Sequence, residues 1–596
     1  MKTITSTTVL SAAALAANCL FFTLAHASGA QTAGASTPFV TVEAESGHLD
    51  GGATLRALPP GAPVPKVATL ELEASGGAFV ELTHTGQSVS IVNPVANANT
   101  VVIRASIPTT ADTTGQLATI NLYVNGVFRQ AVTLSSKQSW QYHDARTHPR
   151  DPNAGGVPFH FYEENRAFIT GAPIPAGSVI TLKKDAGNLA EVYGIDSVDF
   201  ESVAAPRTQP ANSLSVTDYG ADPTFGTDST AAIQRCINDA RARSMSVWIP
   251  PGKYRVSSLA SGGLDMTGVT VNGAGMWYST IYRNVPLPPP SKPWRSNIKL
   301  GTNSVIRNVS IDSNAIYRGI GGDGGDDYGL LSQGNNWLIE RVWIQHCDAQ
   351  WLSGSNGTIR DSRVADSWGD GINLNNGNTL DPQKLGVNLT AQNNFVRGTG
   401  DDGIATYSDA GAAGTNSQMD GTKIINNTSV APYWANGLRI AGGKHVLVQG
   451  NRVQDPSSGN GMDVSIFGAT GQPLESGTIT GNLVLRGGGW DGTDRHGMHV
   501  GSSNTKAAPT NVEISNNVIQ DSRRAGLKIG TVTNILDVHG NTIVHPATQG
   551  VWIAKGVSGS GNFVANTVTN PNAGQTVFQN DSPATFGVTQ SGNSWD

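Results

Sequence analysis

A recurring asparagine that closes short apolar strands constrains this 596-residue chain most. Asn451, Asn482, Asn517, Asn541 and Asn566 recur at intervals of about two to three dozen residues, the period of solenoid coils. Each sits in a run such as Leu447-Val-Gln-Gly-Asn-Arg-Val453, Ile479-Thr-Gly-Asn-Leu-Val484 or Val538-His-Gly-Asn-Thr-Ile543. Related runs begin earlier, at Ile306-Arg-Asn-Val-Ser-Ile311, Ile339-Glu-Arg-Val-Trp-Ile344 and Ile359-Arg-Asp-Ser-Arg-Val364. The alternating apolar residues of each coil turn into a shared core, and an asparagine at the bend can ladder with those above and below. The pattern predicts an all-β chain whose larger part is a parallel β-helix. With 71 glycines, 14% charged residues and recurrent Val/Ile runs, it describes many strands and turns rather than disorder.

The organisation follows from local signals. Lys2, the apolar stretch Val9 to Leu24 and Ala25-His-Ala27 predict a signal peptide over 1–27, hence secretion to the extracellular space. Small polar residues at 28–38 read as a flexible leader, and alternating strands over 39–203 as an antiparallel β-sandwich. Residues 204–213 are a linker, and 214–596 the β-helix. No later segment is long and apolar enough for a membrane, and a net charge of −6 argues against nucleic acid. Cys19 leaves with the signal, so Cys236 and Cys347 allow one disulfide at most. A monomer is expected.

The β-helix opens with Ser215-Val-Thr-Asp-Tyr-Gly-Ala-Asp222. A helical run follows, with Ala232, Ile233, Cys236, Ile237 and Ala240 on one face and Asp228 or Ser229 as its cap. Next comes the strand and turn Ser246-Val-Trp-Ile-Pro-Pro-Gly-Lys-Tyr254. This order resembles the N-terminal cap of pectate-lyase-like right-handed β-helices. An uncapped coil would expose apolar side chains and strand edges.

The chemistry lies in Trp368-Gly-Asp-Gly-Ile-Asn373 and Gly400-Asp-Asp-Gly-Ile-Ala405. Asp370 and Asp401 stand 31 positions apart, about one coil, so Asp370, Asp401 and Asp402 converge on one surface, roughly 5 to 10 Å apart. Such a carboxylate cluster suits glycosidic cleavage, the looser stack favouring inversion. Asp401 and Asp402 share a site only if the strand ends or bulges there, which Gly400 and Gly403 permit. Three close carboxylates do not all ionise easily, so one keeps its proton and defines a general acid. Asn373, Asn375, Tyr407, Trp434, Asn436 and Arg439 fall on or near the same face, with Asp463, His496 and His499 further along. Each is a sugar contact or a structural residue. The pair His496 and His499 is weak as a metal site. The acidic run Gly321-Gly-Asp-Gly-Gly-Asp-Asp327 reads as a solvated turn or a calcium loop.

These motifs, with Asn436-Gly-Leu-Arg-Ile-Ala-Gly-Gly443, resemble glycoside hydrolase family 87, the α-1,3-glucanases (mutanases) and mycodextranases. The likeness spans Leu214 to the C-terminus. It implies endo-hydrolysis of α-1,3-glucan with inversion, no catalytic cofactor, Asp401 as the acid, and Asp370 and Asp402 activating water. The roles of Asp401 and Asp402 are open to exchange. The sandwich resembles carbohydrate-binding modules of families 6 and 35, through Val42-Glu-Ala-Glu45, Ala74-Ser-Gly-Gly-Ala-Phe-Val-Glu-Leu82, Asn121-Leu-Tyr-Val-Asn-Gly126 and Gly194-Ile-Asp-Ser-Val198. That likeness implies a structural calcium on Glu43, Glu45 and Asp196, which are otherwise edge carboxylates. Trp140, Tyr142 and Tyr193 are sugar platforms or core. The rival readings are a pectate lyase with Arg439 as base, a polygalacturonase-like hydrolase, and a non-enzymatic glycan-binding adhesin.

Overall fold

A computed structural model describes residues 33–596 except 60–62, 143–152, 154–157, 258–262, 284–297, 317–328, 378–385, 410–417, 469, 493 and 503–504. The expected signal peptide and the acidic run 321–327 lie outside the described residues.

The described residues of 39–201 form two packed antiparallel sheets, one of six strands and one of five. The strand Tyr193–Glu201 lies centrally in the six-stranded sheet, between Ala78–Leu82 and Thr100–Ser106. Its nine residues read as an almost unbroken buried run, because it packs on both faces. One face meets the sandwich core of Val80, Ile103, Ile120, Leu182 and Phe200. The other meets the β-helix.

From Ser213 onward the chain winds into parallel coils. Each regular coil contributes three short strands, as in Thr358–Arg360, Arg363–Ala365 and Ile372–Asn375. Among the described residues, the first two kinds stack into one continuous 25-stranded sheet and the third into a 12-stranded sheet. Register is kept from coil to coil: Ile372 pairs with Ile404, Ile404 with Leu438 and Leu438 with Met462. These residues and their equivalents are buried in one long core. The cap helix Thr230–Ala242 closes the end with the five residues its periodicity marks, all buried. Asp228 caps it by accepting the Thr230 amide at 2.9 Å, whereas the Ser229 hydroxyl binds the Asp222 amide.

The bend asparagines form the ladder the sequence suggests, and it is longer. Side-chain amides of Asn394, Asn427, Asn451, Asn482, Asn517, Asn541 and Asn566 each donate to the next carbonyl oxygen, ending at Asn593, over 2.9–3.0 Å. Every rung is buried, so the ladder satisfies polar groups that coil stacking removes from water.

Two expectations change. The leader is pinned where it is described: the Gly34, Ala35 and Ser36 amides donate to Gly450 O, Thr428 Oγ1 and Asn393 Oδ1 of the β-helix. Cys236 and Cys347 remain separate buried thiols, one on the cap helix and one after the strand Leu338–Gln345.

Ion pairs weld sandwich to β-helix. Arg363 and Arg397, from successive coils, both reach Glu164 and Asp199 at 2.5–2.8 Å, with all four side chains almost fully buried. His160 of the sandwich stacks on Tyr433 at 4.1 Å. Tyr433 in turn donates through its hydroxyl to Ser367 O and through its amide to Thr399 O. The sandwich therefore braces the turns that carry the aspartate motifs.

Candidate active site

Asp370 precedes the strand Ile372–Asn375, and Asp401 and Asp402 precede the strand Ile404–Tyr407 one coil later. The aspartate pair thus breaks no strand alternation, since it lies in the turn before pairing begins. The flanking glycines serve close approach rather than a bulge. A Cβ at Gly400 would stand 2.1 Å from the Tyr433 hydroxyl, and one at Gly403 would stand 2.1 Å from Ser429 Oγ. Backbone bonds show which positions are equivalent: Gly371 N donates to Asp402 O, and Gly403 N to Asn436 O. Asp370, Asp402 and Asn436 therefore occupy one stack, and Asp401 is the extra carboxylate beside it.

One oxygen from each of Asp370, Asp401 and Asp402 lies within 4.8 Å of the others, tighter than the roughly 5 to 10 Å expected from coil spacing, so the separation by itself does not favour inversion. Among the described residues this is the one such group of three potential cation ligands. Asp370 and Asp401 are partly exposed, while Asp402 is buried. Asp370 Oδ2 accepts the Asn373 amide at 2.6 Å. Asp402 Oδ1 accepts both the backbone N–H (2.9 Å) and the side-chain amide (2.8 Å) of Asn436. A second polar ladder continues from there: Asn460 donates twice to Asn436 Oδ1, and the His496 amide donates to Asn460 Oδ1.

Burial raises the Asp402 carboxyl, Arg439 pulls against it and Asp401 adds to it, and the outcome is a pKa of about 7. Asp402 therefore keeps its proton up to about neutral pH, as burial beside a second carboxylate favours. Arg439 is committed elsewhere as well: it pairs with Asp463 at 3.4 Å and lies 5.2 Å from the Phe467 ring. Asp463 also meets His499 Nδ1 at 2.7 Å, and against the cost of burial Arg439, with the His499 and Ser465 hydrogen bonds, holds it well below the usual carboxylate range.

The outward positions of the 12-stranded sheet are in register from Trp351 through Asn373, Ala405, Arg439 and Asp463 to His499. Most of the expected residues thus share one surface. Asn375 does not: it is fully buried and donates to Asn373 Oδ1, so it supports Asn373 rather than meeting a ligand. Trp434 packs edge-on against Phe159 of the sandwich, and His496 lies buried on the second ladder. Tyr193 is core, and Trp140 packs on Phe161. Sequence reading missed two aromatics. Phe467 is 49% exposed and packs 5.8 Å from Tyr407, which also meets Trp351 at 6.3 Å. Trp351 was detectable as an outward position one coil before Asn373. Phe467 lies beyond a strand end and gave no periodic signal.

Comparison with known proteins decides what this surface belongs to. Residues 36–203 match the family model for α-1,3-glucanase catalytic domain D1, and residues 226–491 match the model for domain D2. The chain belongs to the α-1,3-glucanases of glycoside hydrolase family 87. It is a glycoside hydrolase. Among solved structures, it is similar to the catalytic unit of a thermostable family 87 α-1,3-glucanase from Streptomyces thermodiastaticus strain HF3-3. The two are 28% identical, with a TM-score of 0.75, over 94% of this chain and 97% of that one. Two further α-1,3-glucanase catalytic domains share the fold at 24% identity, each over 94% of this chain and all of theirs. One is an aspartate-to-alanine variant with tetrasaccharides (TM-score 0.77), the other a complex with nigerose (TM-score 0.76). No curated protein sequence matches the chain. The sandwich is matched as the first domain of a catalytic unit, in keeping with the bracing that it gives the turns of this glucanase-family enzyme.

Proposed function

We propose that the enzyme cleaves internal α-1,3-glucosidic bonds of α-glucan by inversion, with Asp370, Asp401 and Asp402 as its catalytic residues. The carrying observation is the approach of three carboxylates within 4.8 Å, one of them buried with its pKa raised to about 7. A water donating two bonds of about 2.7–2.8 Å at its angle of about 105° spans oxygens about 4.4 Å apart, so Asp370 and Asp402, whose oxygens approach within 4.8 Å, can hold one between them. Asn373 and Asn436 fix those two acceptors. Asp401, partly exposed beside them, meets the glycosidic oxygen as general acid. The proton that rests on Asp402 in the free enzyme passes to Asp401 when substrate excludes water, and the ionised Asp402 joins Asp370 in drawing a proton from the nucleophile. Water attacks the anomeric carbon, the bond to the leaving oxygen breaks, and Asp401 protonates that oxygen. Tyr407, Phe467 and Trp351 offer pyranose platforms, while Arg439, Asp463 and His499 offer hydroxyl partners. Arg439 is a poor lyase base, because its guanidinium is tied to Asp463.

The test is incubation with α-1,3-glucan, α-1,3/1,4-glucan, dextran and polygalacturonate, with and without chelator. Reducing ends from α-1,3-glucan are expected, and loss of at least about a hundredfold in rate for each of Asp370→Asn, Asp401→Asn and Asp402→Asn. Preference for the mixed-linkage glucan favours mycodextranase specificity. Unsaturated, chelator-sensitive products from polygalacturonate refute the proposal. The enzyme acts as a secreted monomer, and no described helix is long and apolar enough to cross a membrane.

A structural cation in the sandwich finds partial support. Glu43 and Glu45 are pushed up to about 7 and 8 by burial and by neighbouring carboxylates, and Glu45 Oε2 is buried without a hydrogen-bond partner. Asp196 does not fit as a ligand, because Arg104 holds it at 2.8 Å and Ser75 donates to both its oxygens. Calcium on Glu43 and Glu45 would supply the charge they lack.

A further inference from the structure

The outward row of the 12-stranded sheet does not stop at His499. Register carries it through Lys528 to Trp552, five coils past Ala405. At the strand spacing of about 4.8 Å, Trp552 stands about 24 Å from the catalytic turn. Its neighbours in sequence, Val551 and Ile553, are buried, whereas Trp552 faces outward and is partly exposed. An outward tryptophan on a polar row carries apolar surface that coil packing does not use. The ring is nevertheless held in place. Its indole N–H donates to Asp581 at 2.8 Å, and His496 packs edge-on at 5.6 Å. The Lys528 ammonium lies 5.5 Å from its centre. Lys528 and His496 both bond Asp494, whose side chain is 62% exposed beside the ring. His496 is the last rung described for the ladder that starts at Asp402, so this corner is rigidly tied to the catalytic coils. Trp552 also lies past the residues that the family model matches.

We propose that Trp552, with Asp494 and Lys528, forms a distal subsite that binds a glucosyl residue of an extended α-glucan and makes the enzyme favour long chains. The aromatic face stacks on the pyranose ring, and the charged pair hydrogen-bonds its hydroxyls. The proposal rests on the reading of this sheet as the glucan groove.

The experiment compares the full-length enzyme with Trp552→Ala and Trp552→Phe on a series of soluble α-1,3-linked oligosaccharides of increasing length. For Trp552→Ala, kcat/KM falls by about tenfold on chains able to span five coils, the worth of one aromatic contact, and by less than about twofold on shorter ones. Trp552→Phe recovers most of the loss. Equal loss at every length would assign Trp552 a structural role and overturn the subsite, as would no loss at any length. If the unmodified enzyme cleaves no α-1,3-linked chain, the reading of the groove itself fails and the subsite with it.

Discussion

Replacing Asn436 by alanine tests whether Asp402 is the resting place of the catalytic proton. The substitution removes the 2.8 Å amide bond to Asp402 Oδ1 and leaves the 2.9 Å backbone bond in place. A hydrogen bond to a charged group contributes about 1.5–3 kcal/mol. Each pKa unit is worth about 1.4 kcal/mol. Asn436 favours the ionised form, so its loss moves the Asp402 pKa up from about 7 by roughly one unit. A carboxyl that must be protonated in the free enzyme sets the alkaline limb of kcat/KM, and that limb shifts upward with it. The same change orphans the Asn460 donors, costing about 1–3 kcal/mol of stability. Asn460→Ala is the control: it breaks the ladder without touching Asp402, so it lowers stability and leaves the limb near its original pH. An unchanged alkaline limb in Asn436→Ala would refute the assignment of the proton to Asp402.

Two further outcomes follow from buried charge. Arg397→Met leaves Glu164 and Asp199 buried at the domain interface with Arg363 as their one remaining cation, and removal of one partner from such a cluster costs about 3–5 kcal/mol. Denaturant unfolding should show that loss, with activity falling as the sandwich ceases to brace Tyr433. Stability should also decline between about pH 4 and pH 8. Glu43, Glu45, Asp366 and Asp402 have folded pKa values raised to about 7, 8, 6 and 7. Groups raised on folding stabilise fully below their unfolded pKa and lose that contribution as pH rises through the folded value. Asp199, lowered to about 2, works oppositely below pH 4, so melting temperature should peak near pH 4. A monotonic rise toward pH 8 in chelator would contradict this, and recovery there with calcium would support a cation on Glu43 and Glu45.

The β-helix was legible because its core and its asparagine ladder repeat along the sequence, so short-range pattern suffices. The cap helix was legible for the same reason. Asp370, Asp401 and Asp402 stood out because Asp-Gly-Ile repeats at a coil's distance. The equivalence of Asp370 with Asp402, rather than with Asp401, depended on backbone pairing that residue spacing alone does not fix. The bracing of the active turns by His160 and the pairing of Arg363 and Arg397 with Glu164 and Asp199 join residues some 160 to 270 positions apart, for which one sequence carries no local signal. Asn375 looked available because it lies two positions beyond Asn373. In the coil, Asn375 is fully buried and bonds Asn373, and only Asn373 reaches the catalytic carboxylate.

The most direct measurement follows the first product of α-1,3-glucan cleavage by proton NMR before mutarotation. Attack by a water held between Asp370 and Asp402 delivers the new hydroxyl from the face opposite the leaving oxygen, so the β-anomer appears first and converts to α. Initial release of the α-anomer would mean a covalent, retaining route and would contradict a water-holding role for the aspartates.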